Sequence, residues 1–242
     1  MQQVLENFEV WLPGFHFFPG ARVEQIAGVT AWTSDVPIPF FNGAYGVPET
    51  TVDDVLPMLE DRPVLWVVPP PGEIDDELTA RGFTAASIPG MRLELSALPK
   101  LEVPDGIVVR AVDDDRHLLA VATTIAFTTN GFPEDATEPM LQMLERFPNR
   151  ERFRTYLATV DGVPAAASAL LVTGDIAGLY NVGTLPEFRR RGLGRIVSLT
   201  ALEAGLDEGC SVGVLNASPE GEHVYRGLGF EEVCRLTYAV RA

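Results

Sequence analysis

Positive charge is scarce in this chain. Lysine and arginine total 18 against 34 aspartates and glutamates, the formal net charge is −16, and Lys100 is the only lysine. Nucleic-acid binding is driven by neutralising phosphates with basic side chains, so this balance predicts no nucleic-acid partner. Without a Gly-Lys-Ser/Thr sequence the chain also lacks a nucleoside-triphosphatase phosphate loop. Cysteine is equally sparse. Cys210 and Cys234 stand alone and fit no metal-ligand spacing. They read as reduced cysteines of a cytoplasmic protein, so neither a disulfide nor a metal is expected. No apolar run approaches the roughly 20 residues that cross a bilayer, which predicts no membrane partner. The first residues, Met1 to Asn7, show neither a basic n-region nor an apolar h-region, so no secretory signal is expected. Arginine in place of lysine fits a GC-rich bacterial genome.

What is present is concentrated between Ile176 and Arg195. A strand-like run, Ile176 to Val182, leads through Gly183-Thr184-Leu185-Pro186-Glu187-Phe188 into Arg189-Arg190-Arg191-Gly192-Leu193-Gly194-Arg195, and a helical pattern follows to about Leu206. The first N–H groups of a helix have no internal partner and point together with the positive end of the dipole. Gly192 and Gly194 remove Cβ atoms that would hold a phosphate away, and Arg189, Arg190, Arg191 and Arg195 add forked cationic donors. This arrangement predicts a diphosphate cradle. A dinucleotide fingerprint would need a third glycine where Val197 stands.

After a short strand, Val212 to Leu215, come Asn216, Tyr225 and Gly229-Phe230. With Arg189-x-x-Gly192-x-Gly194 before them, these residues resemble the signatures of the GCN5-related N-acetyltransferases, the GNAT family, over roughly residues 105 to 242. The resemblance implies a mixed α/β GNAT fold and acetyl-CoA as co-substrate. It implies that the backbone of Val182, Gly183 and Thr184 holds pantetheine. Arg189 to Gly194, including Leu193, would take the diphosphate with Arg195 nearby, and Asn216 would bond pantetheine from the other side. Tyr225 would be the acid that protonates the leaving thiolate, since a phenol of pKa about 10 can serve a thiol near 8.5. The acceptor, a small or peptidic amine, would lie beside the loop from Phe127 to Asp135. There Phe127, Asn130, Phe132 and Glu134 are candidates, with Tyr180 on the neighbouring strand. Tyr180 and Val182 share a sheet face if no bulge intervenes. The general base is not legible, and both a monomer and a homodimer are open. Two rival readings keep the fold and drop catalysis: an acyl-CoA-responsive regulatory module, or an interaction protein with a vestigial pocket.

Two prolines bracket a linker near Ser96 to Asp105, which predicts a smaller unit over residues 1–100 and a catalytic unit over 104–242. The second reads as strand Ile107–Arg110, a helix from Asp113–Asp115 to Thr128, a helix Pro139–Phe147, and strands Arg154–Val160, Val163–Val172 and Ile176–Val182. The first resembles a degenerate copy of the other's later part. It reads as strand Pro39–Tyr45, helix Thr51–Glu60, strand Val64–Val68, helix Ile74–Arg81, then Gly82-Phe83 and a strand ending Met91–Leu95. In this register Val47-Pro48-Glu49 replaces the arginine–glycine cradle, and Leu78 stands where Tyr225 does. Proline removes a donor and glutamate repels phosphate, so coenzyme A is expected in the second unit alone. Phe15, Phe17, Phe18, Trp32, Phe40 and Phe41 read as core.

Overall fold

The computed structural model describes residues 1–147 and 150–242. Its first half contains α1 (Gln2–Glu9), β1 (Arg22–Ile26), β2 (Val29–Thr33), β3 (Gly43–Tyr45), α2 (Val52–Val55), β4 (Val64–Val68), α3 (Asp75–Ala80) and β5 (Thr84–Glu94). The second half contains β6 (Ile107–Ala111), α4 (Arg116–Thr129), α5 (Thr137–Arg146), β7 (Phe153–Val160), β8 (Val163–Thr173), β9 (Ile176–Thr184), α6 (Leu193–Asp207), β10 (Val212–Asn216), α7 (Glu222–Leu228) and β11 (Glu231–Arg241).

All the strands form one 11-stranded sheet in the order β1-β2-β3-β4-β11-β5-β10-β9-β8-β7-β6. β3 pairs β4 in parallel and β9 pairs β10 in parallel, while the other pairings are antiparallel. The order reads nearly the same from either end, with one exchange at the centre. β5, the last strand of the first half, lies against β10 of the second, and β11, the last strand of the second half, lies against β4 of the first. β5 and β11 then pair with each other from Glu231↔Arg92 to Val240↔Thr84. Each is preceded by a glycine of positive φ, Gly82 at 84° and Gly229 at 97°, and then by a buried phenylalanine, Phe83 or Phe230.

Small residues on β8 let helices approach both sheet faces. Ala167 packs in a cluster with Leu119, Ala122, Ile125 and Ala126 of α4. Its neighbour Ala166 packs with Leu193, Ile196 and Val197 of α6, and the Ser168 hydroxyl donates to the Val197 carbonyl at 2.8 Å. α4 starts as its sequence demands. Asp115 caps it by accepting from the His117 and Leu118 N–H groups at 3.0 and 3.1 Å. Asp113 serves elsewhere, accepting from the Thr155 N–H and pairing with Arg150 at 3.1 Å. The aromatic residues of the first half form core with the second: Phe15, Phe18, Trp32 and Phe41 are buried in a cluster that also contains Phe127, Met140, Phe147 and Phe153.

Several elements differ from expectation. Pro39–Phe41 is a 3-10 turn and only Gly43–Tyr45 is strand, because proline brings no N–H to a ladder. The expected helix from Thr51 stops at Val55 and tightens to a 3-10 turn over Leu56–Met58, with Pro57 inside it. α1 and the β1–β2 hairpin were not legible as elements. The hairpin turns at Ala27-Gly28, both at positive φ (48° and 81°), a pattern that favours glycine.

α1 is stitched to the second half by one buried polar side chain. The Asn7 amide donates to the Leu171 carbonyl at 3.2 Å and the Thr173 hydroxyl at 3.1 Å, and its oxygen accepts from the Tyr180 phenol at 2.6 Å. Gly178 leaves room for it, since a Cβ there would collide with the Asn7 side chain. Asn7→Ala should lower stability by about 1–3 kcal/mol, as expected when buried partners lose their bonds. Urea unfolding checks this: the midpoint should drop at unchanged slope, and a wild-type midpoint would show that the three bonds contribute nothing net.

Candidate active site

β9 and β10 pair only from Ile176↔Val212 to Gly178↔Val214. Past that point β9 continues to Thr184 bonded to β8, and β10 continues to Asn216 bonded to β5. The two parallel strands therefore part while each stays fixed on its outer side. Along β9 the register shifts: Ala169 faces Tyr180 and Ala167 faces Gly183, so three steps of β9 oppose two of β8. Asn181, at φ 52°, carries this bulge. Tyr180 and Val182 consequently sit on opposite faces. Tyr180 meets Trp11 edge-on at 5.3 Å under α1, whereas Val182 packs at the edge of the cluster that holds Tyr225, Leu179 and Leu215. Gly183 allows α4 to lie close: a Cβ there would strike the Thr129 hydroxyl and sit 3.0 Å from the Ala126 Cα.

Beyond Thr184 a 3-10 turn, Pro186–Phe188, leads to Gly192, which takes φ 79° as the N-cap of α6 and has no side chain to cap with. Ile196 donates the first intrahelical bond, to the Gly192 carbonyl at 3.0 Å. The N–H groups of Leu193, Gly194 and Arg195 find no partner among the described residues, and the first turn holds no acid. Nor do Arg189, Arg190, Arg191 and Arg195 join any salt bridge among the described residues, although eight other arginines do. Arg189 Nε donates to the Thr184 carbonyl at 3.2 Å, Arg195 donates to the Gly227 carbonyl at 3.3 Å, and Arg191 stacks on Phe188 at 5.4 Å. Orphan donors and unneutralised guanidinium groups at one helix start, in so acidic a chain, fit a multiply charged anion.

α2 ends its loop differently. The Asp54 carboxylate reaches back to accept from the Thr51 N–H at 3.2 Å and from the Thr50 and Thr51 hydroxyls at 2.5 and 3.0 Å. Bonding from Thr50, then Thr51, holds the Asp54 carboxyl below its ordinary pKa. Asp53 adds a second negative charge in the same turn. Asp53 is paired with Arg81 at 2.6 Å, and the first turn of α2 carries two acids where that of α6 carries none.

At the end of β10, Asn216 Nδ2 donates to the Tyr238 phenol at 3.3 Å, while its Oδ1 is buried and without a partner among the described residues. A buried acceptor left empty costs about 1–3 kcal/mol, so this atom marks a place for an incoming donor. Tyr225 on α7 is buried, with its ring edge-on to Phe230 at 6.1 Å, and burial pushes its phenol well above the ordinary pKa. Its hydroxyl makes no hydrogen bond among the described residues, so the proton is held and unengaged.

The loop after α4 has a mixed character. Phe127 is buried, stacked at a tilt on half-buried Phe132 at 5.0 Å, and Phe132 meets Phe40 of the first half at 5.9 Å. Asn130 donates to the Ala126 carbonyl at 2.6 Å and the Val182 carbonyl at 3.1 Å, which links this loop to the bulged strand. Glu134 is exposed in a 3-10 turn. Tyr180 is taken up by Asn7. Sequence reasoning did not single out Asn7, Glu9 or Trp11. The signal was a helical stripe, Val4, Asn7, Phe8 and Trp11, carrying an amide at an otherwise apolar position. Among the described residues no group of three or more His, Cys, Asp or Glu is placed to hold a metal ion, and no helix is long and apolar enough to cross a membrane.

Residues 96–219 match the family model described as an acetyltransferase (GNAT) domain. The chain belongs to the GNAT acetyltransferase family. Its fold is shared with a GCN5-related N-acetyltransferase from Kribbella flavida, at 21% identity and a TM-score of 0.71, over 98% of this chain and 94% of that one. A structure described as a putative GNAT-family acetyltransferase from Novosphingobium aromaticivorans is similar at 18% identity and a TM-score of 0.61, over 96% and 95%. A tandem GNAT protein from the clavulanic acid biosynthesis pathway is similar at 14% identity and a TM-score of 0.58, over 98% and 94%. No curated protein matches the chain.

The contact between Gly183 and α4 gives a test of this architecture. Gly183→Ala should destabilise the fold by about 1–3 kcal/mol through overpacking. Adding Thr129→Ala should recover part of that loss, because it removes the hydroxyl that the new methyl meets. Additive losses in a thermal-unfolding double-mutant cycle would show that α4 does not bear on Gly183.

Proposed function

We propose that the chain transfers an acetyl group from acetyl-CoA to a primary amine by direct attack. The observation that carries this reading is the start of α6: an uncapped helix terminus with unpaired arginines, joined through a short loop to the strand that parts from β10. In this reading the Leu193 and Gly194 N–H groups, with Arg189 to Arg191, hold the diphosphate, and Arg195 stays tethered to α7. The backbone of Val182 to Thr184 and the empty Oδ1 of Asn216 hold the pantetheine arm from the two sides of the gap. Bound acetyl-CoA supplies an acyl thioester. The neutral amine nitrogen forms the C–N bond as the C–S bond breaks, the electron pair leaves with sulfur, the proton shed by nitrogen passes to solvent water, and Tyr225 gives sulfur its proton and is reprotonated from solvent. Burial holds the Tyr225 phenol protonated through the working pH range and makes it a weaker acid, so it gives up its proton only once charge has built on sulfur.

The first half is proposed as a degenerate GNAT-like unit without coenzyme, because the first turn of α2 carries Asp53 and Asp54, and acids there repel a diphosphate. Calorimetry should give one coenzyme A per chain, and two equivalent sites would overturn the assignment. Gly194→Asp is the sharper probe. Gly192 needs its positive φ, whereas Gly194 is helical and a Cβ there would lie 3.7 Å from the Thr184 hydroxyl, an ordinary contact. The variant should fold and lose at least about tenfold in coenzyme A affinity by charge repulsion. Unchanged affinity in a folded variant would place the diphosphate elsewhere.

Tyr225→Phe keeps the ring and its packing, so stability and acetyl-CoA affinity should hold. Turnover should fall by about 10²–10⁴-fold with little change in KM, as for loss of a positioned acid. Thiol release at full rate would remove Tyr225 from the chemistry and leave the transferase reading to the cradle.

A further inference from the structure

On the sheet face beneath α1, polar side chains from both halves form a row. Tyr45 on β3 and Tyr238 on β11 are both register partners of Val67 on β4, so their phenols project from one face. Asn216 on β10 and Cys234 on β11 are both register partners of Gly90 on β5, and Cys234 and Tyr238 lie four apart on β11. Tyr238 reaches Asn216 at 3.3 Å. At the far end the Tyr45 phenol donates to Glu9 Oε1 at 3.0 Å, and Phe8 stacks on Tyr45 at 5.2 Å. β3 and β10 stand four strand steps apart, about 19 Å at the usual spacing. The row therefore runs from the gap between β9 and β10, where Asn216 Oδ1 is empty, outward to a carboxylate.

Charge is placed asymmetrically along it. Burial lifts the Tyr45 and Tyr238 phenols, Tyr238 to about 12, and the Glu9 carboxylate lifts Tyr45 further. Both phenols are neutral at physiological pH. Glu9 is exposed, enters no salt bridge among the described residues, and keeps Oε2 without a partner. No basic side chain bonds to Asn216, Tyr238, Tyr45 or Glu9 among the described residues. The chain's own N-terminal ammonium lies near Cys234 at the inner end, and Glu9 closes the outer end, so the row suits an apolar chain whose positive group lies outermost.

We propose that this row, from Tyr238 outward past Asn216, is the acceptor subsite, that Glu9 binds a second, distal cationic group of the acceptor, and that the acceptor is an elongated diamine. The proposal rests on the acetyl-transfer reading and deepens it: the first half supplies the specificity-determining residue of a site whose reacting end belongs to the second. One amine would lie at the gap for acetylation, and the other would be held by Glu9 beside Tyr45.

Three probes long enough for that span share a reacting amine and differ only at the far end: α,ω-diaminododecane, dodecylamine and ω-aminododecanoate. Thiol release should show a KM for the diamine at least about tenfold below that for dodecylamine, with aminododecanoate poorest. Glu9→Gln should raise the diamine KM about tenfold, leave the dodecylamine KM and kcat unchanged, and leave coenzyme A affinity untouched. Glu9→Asp should restore part of the preference. Tyr45→Phe, which removes the hydrogen bond and keeps the charge, should retain most of it. Equal use of dodecylamine and the diamine, or a preference that survives Glu9→Gln, would overturn this inference and leave the transferase standing. If coenzyme A does not bind and no amine releases thiol, the transferase reading falls and this one with it. Coenzyme A binding with no turnover of the diamine overturns the diamine assignment alone.

Discussion

The antiparallel ladder between β5 and β11 is the contact on which the rest of the molecule depends. Each strand ends one half of the chain and completes the sheet of the other, so neither half closes its own hydrogen-bond ladder in this arrangement. An edge of unpaired N–H and C=O groups is a liability in water, and the exchange removes two such edges at once. It also fixes where the chemistry-bearing groups stand. β5 holds the outer side of β10 up to Asn216 while β8 holds the outer side of β9, and the gap between β9 and β10 exists because both are anchored from outside.

Electrostatics follow a simple rule in this molecule. Carboxylates outnumber cations, and most arginines are taken up in pairs or by carbonyl groups. Against that background a cluster of arginines with no carboxylate partner beside an uncapped helix is costly unless something else neutralises it. The two halves differ at these helix starts: the N–H groups of α6 are open, whereas at α2 the Thr51 N–H is bonded to Asp54 and acids stand in the first turn. Helix termini this different carry opposite local charge, cationic at α6 and acidic at α2.

Much of this was legible in the sequence, for reasons that can be named. Arg189 to Gly194 declared itself because cationic and Cβ-free residues at a helix start have few structural uses, and Ile176 and Leu193 open the elements that the apolar pattern predicts. Gly82-Phe83 and Gly229-Phe230 announced the like entries into β5 and β11. The bulge at Asn181 left no such mark, since one extra residue in an otherwise regular strand depends on how β8 packs. α1 escaped because its apolar stripe is interrupted by Asn7, whose partners Leu171, Thr173 and Tyr180 lie far along the chain. The strand exchange was invisible for the same reason: local pattern specifies a strand, and only tertiary pairing chooses its neighbours.

The exchange has a temporal side. On a ribosome β4 is made long before β11, so during synthesis the first half presents a short, apolar strand, Val64-Leu65-Trp66-Val67-Val68, with one edge unclaimed. The chain therefore carries an exposed, sticky seam until almost all of the second half has emerged, and nascent chains in that interval are the species most prone to pair with one another. A strand that arrives late thus sets how long that edge stays open.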